Sequence, residues 1–361
     1  MIENYKLKLK VLTPVHIGSG ETIGKSEYVI DGGRAYILDT YKLFKGLTQC
    51  GALKKYEDSV MKMKGFSMNS FFQDNNIPSS KYKDWALYSF EIPEDANSKQ
   101  LNISACVKDA YHKPYIPGSS LKGAVRTAVE VNELLDGKAG KYSQRVKDEI
   151  PRLTGKKRDM AFVESNMNVE LFHTLKLLDR KPKDKNNSIN SIFKGLRISD
   201  SSPVELDDLA LCVKIDLDDG DGENALNVVR ECIKPGTELT FGVSIDTDIF
   251  PYNAKKLLGA VKRSFDLQAE RFLSHFDGVD IPSADNVIYI GGGTGFVSKT
   301  VIQALFNEKD ALYVTKKILN KQFYNHHHLN DKYVSPRMRK CTYYDHEYMD
   351  MGICGISFEK I

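Results

Sequence analysis

One stretch of the chain combines hydroxyl groups with the start of a predicted helix. Residues 114–128 read PYIPGSSLKGAVRTA. The prolines keep the first part extended, Gly118 frees the backbone, and Ser119 or Ser120 is a suitable N-cap for the helix that follows. The first turn of such a helix presents unpaired N–H groups and a partial positive charge. This arrangement suits a phosphate group.

Two cations in the same helix strengthen the prediction of an anion site. Lys122 and Arg126 are four residues apart, so both side chains reach one side of the helix. A Walker A loop is excluded, because Ala124 and Val125 stand where that motif needs Lys and Ser or Thr after Gly118–Gly123. The pattern favours the phosphates of a polymer over a nucleotide pocket, and a helix start that only braces the fold stays an alternative.

A second glycine-rich loop joins a predicted strand at 287–290 to a predicted helix at 297–306. Its glycines are Gly291, Gly292, Gly293 and Gly295. The third glycine of a dinucleotide fingerprint falls one position early here, and Ser298 replaces the second glycine of a Walker A loop. Exposed backbone donors with Lys299 close by suit a polymer phosphate. The alternative interpretation is a tight turn from strand to helix that binds no ligand, since such a turn has the same pattern.

A third loop follows the first predicted strand, in which Leu and Val alternate with Lys over residues 5–12. It contains His16, Gly18 and Ser19. The imidazole of His16 is a candidate general acid or base for RNA cleavage. A single histidine without an evident partner is also typical of a loop that only forms hydrogen bonds.

Near the C-terminus, Arg337 and Arg339 alternate on a segment predicted to be extended, so both would project the same way and suit a phosphate. A solvated edge is the alternative. The histidines at 326–328 match no standard zinc spacing, and the acidic run at 216–223 does not place acids as a calcium loop requires. The sequence therefore predicts neither a metal site nor a cofactor.

The overall composition is that of an ordinary globular protein of 361 residues, with 41% hydrophobic and 27% charged residues. The net charge is only +3, but basic residues concentrate at 141–158 and 176–185 and acids at 205–223. The six cysteines include no C-x-x-C pair, which indicates reduced thiols, mostly in the core. The chain shows neither a signal peptide nor an apolar run of membrane-spanning length, so we predict a cytoplasmic protein.

The order strand, helix, two strands, helix, strand can be traced in each half of the chain, with interruptions. It predicts an α+β fold of ferredoxin-like or RRM-like units. We expect one unit at residues 1–195, with helical insertions at about 54–100 and 130–190, and a second at 196–361 that carries the glycine-rich loop.

Four motifs in this order resemble the RAMP superfamily of CRISPR proteins, and within it the fifth-numbered Csm subunits of type III-A effector complexes. The motifs are HIGSG at 16–20, IPGSSLKGAVR at 116–126, RISDS at 197–201 and GGGTGFVSKT at 291–300. The resemblance implies RRM-like folding and binding to CRISPR RNA. It also implies a place at the 3′-end tip of the complex, beside the repeated backbone RAMP subunits, a role in maturing the RNA, and contact with target RNA.

The resemblance implies that the helix-start motif lines the RNA path. It also implies that the second glycine loop, together with Phe296 and Lys299, either faces the RNA or packs within the fold. The residues implied for RNA binding are Gly118, Ser119, Ser120, Lys122 and Arg126 at the helix start, together with His16, Gly18 and Ser19 in the loop after the first strand. Our first hypothesis is a non-catalytic subunit that grips the RNA backbone without reading sequence. The alternatives are a metal-independent endoribonuclease that uses His16 and a scaffold that contacts protein only.

Overall fold

Three β-sheets and ten α-helices form the part of the chain that the structure, a computed structural model, describes: residues 1–62, 65–93, 102–156, 160–220 and 222–361. The strands are β1 (Ile2–Val11), β2 (Gly18–Ile23), β3 (Tyr28–Asp31), β4 (Arg34–Leu38), β5 (Ala86–Glu91), β6 (Ile103–Cys106), β7 (Leu196–Ile198), β8 (Leu209–Asp218), β9 (Glu223–Ile233), β10 (Glu238–Asp246), β11 (Val287–Tyr289), β12 (Met338–Tyr344), β13 (Glu347–Asp350) and β14 (Ile353–Lys360). The helices are α1 (Thr40–Gln49), α2 (Leu53–Lys62), α3 (Met68–Asp74), α4 (Ser79–Asp84), α5 (Gly118–Glu133), α6 (Ala139–Glu149), α7 (Ala161–Phe172), α8 (Ala254–Arg271), α9 (Ile302–Leu305) and α10 (Glu308–Gln322).

The five-stranded sheet is antiparallel and has the order β11-β14-β1-β10-β7. In β1, Leu7, Leu9 and Val11 are buried while the lysines between them are exposed, as the alternating pattern predicts. Helices α5 and α8 contact each other and this sheet. The path β1, α5, β7, β10, α8, β14 is that of a ferredoxin-like unit, so the predicted α+β fold is confirmed.

The six-stranded sheet has the order β13-β12-β8-β9-β6-β2 and is antiparallel except between β6 and β9. The segment after β1 crosses from one sheet to the other: the N–H groups of Leu12 and Thr13 donate to the carbonyl of Ile353, and Val15 forms a bridge with Ile233 of β9. His16 therefore lies where the two sheets meet.

Strands β3, β4 and β5 form a small sheet that packs with α1 to α4 around a separate apolar core, which includes Leu47, Phe72 and Trp85. The Asp-Gly-Gly sequence at 31–33, which favours a hairpin, joins β3 to β4, and the Asp39 carboxylate caps α1 by accepting from the Lys42 N–H at 2.8 Å. The insertion predicted at about 54–100 contains α2, α3, α4 and also a strand, β5. Its residues 63–64 and 94–100 lie outside the described part.

Both large sheets take strands from either side of residue 195, because β1 pairs with β10 and β14, and β6 pairs with β9. The sheets mark no boundary at that point, and the division into two units stays a prediction. The second insertion, predicted at 130–190, contains α6, α7 and short 3-10 turns. No helix in the described ranges is both long and apolar enough to cross a membrane.

The helix predicted at 297–306 is shorter than expected. It consists of a 3-10 turn at Val297–Lys299 and the four-residue helix α9. Thr300 separates the two because its backbone is extended, with φ −126° and ψ 160°. A β-branched residue adopts such a conformation readily, so it ends the first turn.

Candidate nucleic-acid interface

The loop that carries His16 is tied to the second glycine loop through the backbone. The His16 carbonyl accepts from the Gly292 N–H at 2.7 Å, and the His16 Nδ1–H donates to the Glu231 carbonyl at 2.8 Å. His16 is buried, and burial, opposed by the bond to Glu231 and reinforced by nearby Arg230, lowers the pKa of its imidazole. The structure thus brings together two motifs that are far apart in sequence.

The second glycine loop needs glycine for both conformation and space. Gly291, Gly293 and Gly295 have φ of +85°, +87° and +85°, in the left-handed region that side chains disfavour. A Cβ on Gly291 would lie 2.3 Å from the His16 carbonyl oxygen, and one on Gly293 would lie 3.4 Å from Nη1 of Arg230. The bare backbone of this loop therefore lies directly against the six-stranded sheet.

Four cations gather where the loop meets this sheet, and we call them the basic cluster. Its members are Lys214, Arg230, Lys299 and Lys340. Lys340 on β12 lies opposite Asp216 on β8, two residues from Lys214 and on the same face. Arg230 lies opposite Cys212, which is also on that face, and Lys299 follows the glycine loop.

The basic cluster has more positive charge than the surrounding acids neutralise. Asp216 lies 2.6 Å from Nζ of Lys340 and 3.7 Å from Nζ of Lys214. Neither Arg230 nor Lys299 makes an ion pair within the described ranges. Among the described ion pairs, Asp216 is the one carboxylate that contacts the cluster, and a bound phosphate would offset the remaining positive charge.

Burial and mutual repulsion act on these cations. Burial, and secondly Lys340, lower the pKa of Lys214. Burial, and secondly Arg230, lower the pKa of Lys299, while burial also lowers the pKa of Arg230. Clustered, partly buried and shifted groups of one sign are typical of a ligand site.

Sequence reasoning placed Lys299 in this region and missed Lys214, Arg230 and Lys340. The alternation of apolar and charged residues at 213–216 was a usable signal, since it puts Lys214 and Asp216 on the solvent side of a strand. No local signal could have shown that Arg230 and Lys340 join them, because strand pairing alone brings these positions together.

The start of α5 is occupied by the protein itself. The helix begins at Gly118 after Pro117, so Ser119 and Ser120 lie in its first turn and neither is the predicted N-cap. The Gly118 N–H donates to Oδ1 of Asp200 at 2.8 Å. A Cβ on Gly118 would lie 2.3 Å from the Ile198 carbonyl oxygen, so this end of the helix packs tightly against the end of β7.

Both predicted cations of α5 are engaged inside the fold. Nζ of Lys122 donates to the Leu196 carbonyl at 2.6 Å, and burial, then Arg126, lower the pKa of Lys122. The guanidinium of Arg126 donates to Oδ1 of Asn168 from Nε at 3.1 Å and from Nη2 at 2.7 Å. It also lies 5.7 Å and 5.4 Å from the ring centres of Phe172 and Phe193. Both cations therefore have partners inside the fold, and the RNA contact expected of this motif stays a prediction.

The two arginines near the C-terminus differ in exposure. Arg339 is 1% exposed, and its Nε and Nη2 donate to the two carboxylate oxygens of Asp350 at 2.8 Å and 2.7 Å. The paired geometry expected for a phosphate is thus used on a carboxylate, and we leave Arg339 out of the interface. Arg337 is partly exposed, with Nε 3.9 Å from Oδ1 of Asp331.

The other polar motifs have structural partners. His328 is buried, with Nδ1 3.0 Å from Oδ2 of Asp331, whereas His326 and His327 are exposed. Asp218 closes the β8–β9 turn by accepting from the Gly220 and Gly222 N–H groups at 2.9 Å and 2.6 Å. Within the described ranges, no group of three or more His, Cys, Asp or Glu side chains is arranged to hold a metal ion.

Comparison with known proteins gives consistent matches over most of the chain. The RAMP superfamily model matches residues 8–298. The CRISPR system Cms protein Csm5 of Streptococcus thermophilus is 26% identical over 318 residues, covering 85% of this chain and 82% of that protein. The protein of the same name from Mycobacterium tuberculosis is 25% identical over 394 residues, covering 99% and 98%.

Two solved structures share the fold. A chain of the cryo-EM structure of a Csm–crRNA–target RNA ternary complex of a type III-A CRISPR-Cas system has a TM-score of 0.65 at 20% identity, covering 99% of this chain and 100% of that one. The crystal structure of T. onnurineus Csm5 has a TM-score of 0.63 at 20% identity, covering 96% and 99%. The resemblance predicted from the four motifs is confirmed: the chain belongs to the RAMP superfamily.

Proposed function

We propose that this chain is a crRNA-binding structural subunit of a type III-A CRISPR effector complex, acting in the cytoplasm in antiviral defence. In this proposal it caps the 3′ end of the crRNA, supports crRNA maturation and assembly, and contacts target RNA and the repeated backbone RAMP subunit. Support comes from relatives that carry the name Csm5 and from a fold shared with a chain of a Csm–crRNA–target RNA complex.

The observation that carries the proposal is the basic cluster against a bare glycine loop. An RNA backbone supplies one negative charge per nucleotide, and backbone N–H groups and Lys or Arg side chains are the usual donors to phosphate. Such contacts hold the RNA without reading its bases. This suits a subunit that must hold guides of any sequence.

The setting of His16 favours a bracing role over cleavage. Its Nδ1–H is used on the Glu231 carbonyl, and its lowered pKa keeps the imidazole neutral at neutral pH, so it lacks the proton that a general acid must donate. The Glu231 carboxylate is also occupied: it accepts from the Tyr88 hydroxyl at 2.6 Å and the Cys106 N–H at 2.9 Å, and it pairs with Lys108. We therefore propose a non-catalytic subunit.

A co-purification experiment tests the proposal. The tagged chain is expressed with the other subunits and a CRISPR array, and the bound RNA is sequenced. We expect CRISPR RNA in the purified complex, and no new RNA ends when the isolated chain is incubated with precursor RNA. New RNA ends that disappear in His16→Ala would support the endoribonuclease alternative. An isolated chain that binds no RNA at any salt concentration would support a protein-only scaffold.

A further inference from the structure

An exposed group of aromatic rings follows α10, and we call it the aromatic platform. Its members are Phe323, Tyr324, His326, His327 and Tyr333. Tyr324 and Tyr333 are 74% and 76% exposed, which is unusual for such large rings. Phe323 and His326 stack on each other with ring centres 5.4 Å apart and planes 17° apart. A cluster of exposed rings of this kind indicates a binding surface.

The charge around the platform is positive. Tyr313, Lys317 and Lys321 follow each other at four-residue spacing along α10, and Nζ of Lys317 lies 5.6 Å from the ring centre of Tyr313. Lys332 is exposed next to Tyr333. Between residues 313 and 337 the sequence contains a single acid, Asp331, and its side chain is buried. This stretch of the chain therefore offers rings and cations, and its one carboxylate is not exposed.

Buried hydrogen bonds hold the segment that carries the platform. Oδ2 of Asp331 accepts from the Ser335 hydroxyl at 2.6 Å and lies 3.0 Å from Nδ1 of His328. Nζ of Lys316 on α10 donates to the Asp331 carbonyl at 2.6 Å. These buried contacts fix the backbone between the exposed rings. The backbone therefore loses little additional entropy when a ligand stacks on the rings.

The platform adjoins the basic cluster. Gln322, which precedes Phe323, lines the same 240 Å³ cavity as Lys299. Val334, which follows Tyr333, packs in one apolar cluster with Val297, two residues before Lys299. The backbone segments that carry Lys299 and the platform are therefore neighbours in the fold.

We propose that the aromatic platform is a second binding surface for single-stranded RNA, on which bases stack while Lys317, Lys321 and Lys332 contact phosphates. This inference rests on the proposed RNA-binding function and extends it. Aromatic faces bind any base, and cations follow the backbone, so the combination is typical of proteins that hold single strands without sequence preference. A protein partner would have to bring acids to meet these cations, whereas RNA carries a phosphate at every nucleotide.

The test compares two pairs of tyrosines in the full chain. The platform variant is Tyr324→Ala with Tyr333→Ala, and the matched control is Tyr41→Ala with Tyr111→Ala, whose side chains are 74% and 83% exposed elsewhere on the surface. All four side chains are exposed, so both variants should unfold at the wild-type temperature. The probe is a fluorescently labelled single-stranded oligouridine, with a second version that carries a fluorescent adenine analogue at one position.

We expect the platform variant to bind the probe at least about tenfold more weakly than wild type and to lose the fluorescence quenching that stacking causes, while the control changes neither. Unchanged affinity and quenching in the platform variant, with wild type binding RNA, would overturn the platform and leave the proposed function standing. Failure of wild type to bind RNA at any salt concentration would instead overturn the proposed function. Normal RNA binding with loss of neighbouring subunits on co-purification would assign the surface to a protein.

Discussion

Arginine side chains in this chain take roles that their surroundings set. Arg126 donates to Asn168 and lies over two aromatic rings, and Arg339 is buried in a two-bond pair with Asp350. Arg230 makes no ion pair within the described ranges and lies beside the glycine loop. Of the three, Arg230 is the one that lies beside the glycine loop within the basic cluster, so residue type alone does not identify the interface.

Glu130 gives a prediction at the same scale. Burial raises the pKa of this carboxyl to about 7, against the opposing charge of Arg126. The folded state then holds the proton more tightly than the unfolded chain, so the carboxyl favours folding below about pH 4 and this contribution is lost as the pH rises through about 7. Glu130→Gln changes the free energy of unfolding, and we expect this change to be more favourable to folding at pH 8 than at pH 5. The difference between the two pH values should be on the order of 2 kcal/mol.

Urea unfolding at the two pH values measures this difference. The glutamine can still accept from Asn168, whose Nδ2 lies 3.3 Å from Oε1 of Glu130, so the change removes the charge and keeps the contact. Glu238→Gln, at an exposed glutamate, is the control and should show no comparable pH dependence. Equal effects of Glu130→Gln on the free energy of unfolding at pH 5 and pH 8 would contradict the raised pKa of Glu130.

At the scale of elements, the glycine loop predicts a difference between two alanine substitutions. Gly291 and Gly236 have similar φ values of +85° and +88°, but only at Gly291 would a Cβ meet another atom, the His16 carbonyl oxygen at 2.3 Å. Gly236→Ala should cost about 1 kcal/mol of unfolding free energy, from the backbone conformation alone. Gly291→Ala should cost about 2–4 kcal/mol because the loop must also move away from His16.

Chemical unfolding of the two variants side by side checks this prediction. A loss at Gly291 no greater than the loss at Gly236 would show that the two loops are not held together as described. Preserved stability in Gly291→Ala together with wild-type RNA affinity would also remove the loop from the interface.

Local elements were largely predictable from the sequence, because neighbouring residues determine them. The Asp31–Gly33 turn, the Asp39 cap and the long helix α8 all follow from short-range rules. The partners of the charged groups were not predictable in this way. Asp200 fills the start of α5 from 82 residues away, and Asp350 reaches Arg339 across a strand pair, so only the tertiary fold reveals that these sites are occupied.

For the whole molecule, the net charge of +3 conceals a local excess of positive charge. Sheet pairing collects Lys214, Arg230 and Lys340 from three strands, and the glycine loop adds Lys299. Because burial, and secondly repulsion, lower the pKa values of Lys214 and Lys299, the fold keeps these cations together against an electrostatic cost. A polyanion would offset that cost on binding.

Salt-dependent RNA binding by the variant Arg230→Ala with Lys299→Ala tests this central claim most directly. Lys255→Ala with Lys256→Ala removes the same charge from the exposed side of α8 and is the matched control. Loss of the two repelling cations should not lower the unfolding midpoint of the first variant. We expect that variant to bind single-stranded RNA roughly tenfold more weakly than wild type. Its slope of log affinity against log salt should be reduced by about 0.7 for each phosphate that the protein no longer neutralises. The control should match wild type in both affinity and slope. Equal affinities and equal slopes in the two folded variants would contradict the assignment of the basic cluster as the RNA-gripping surface.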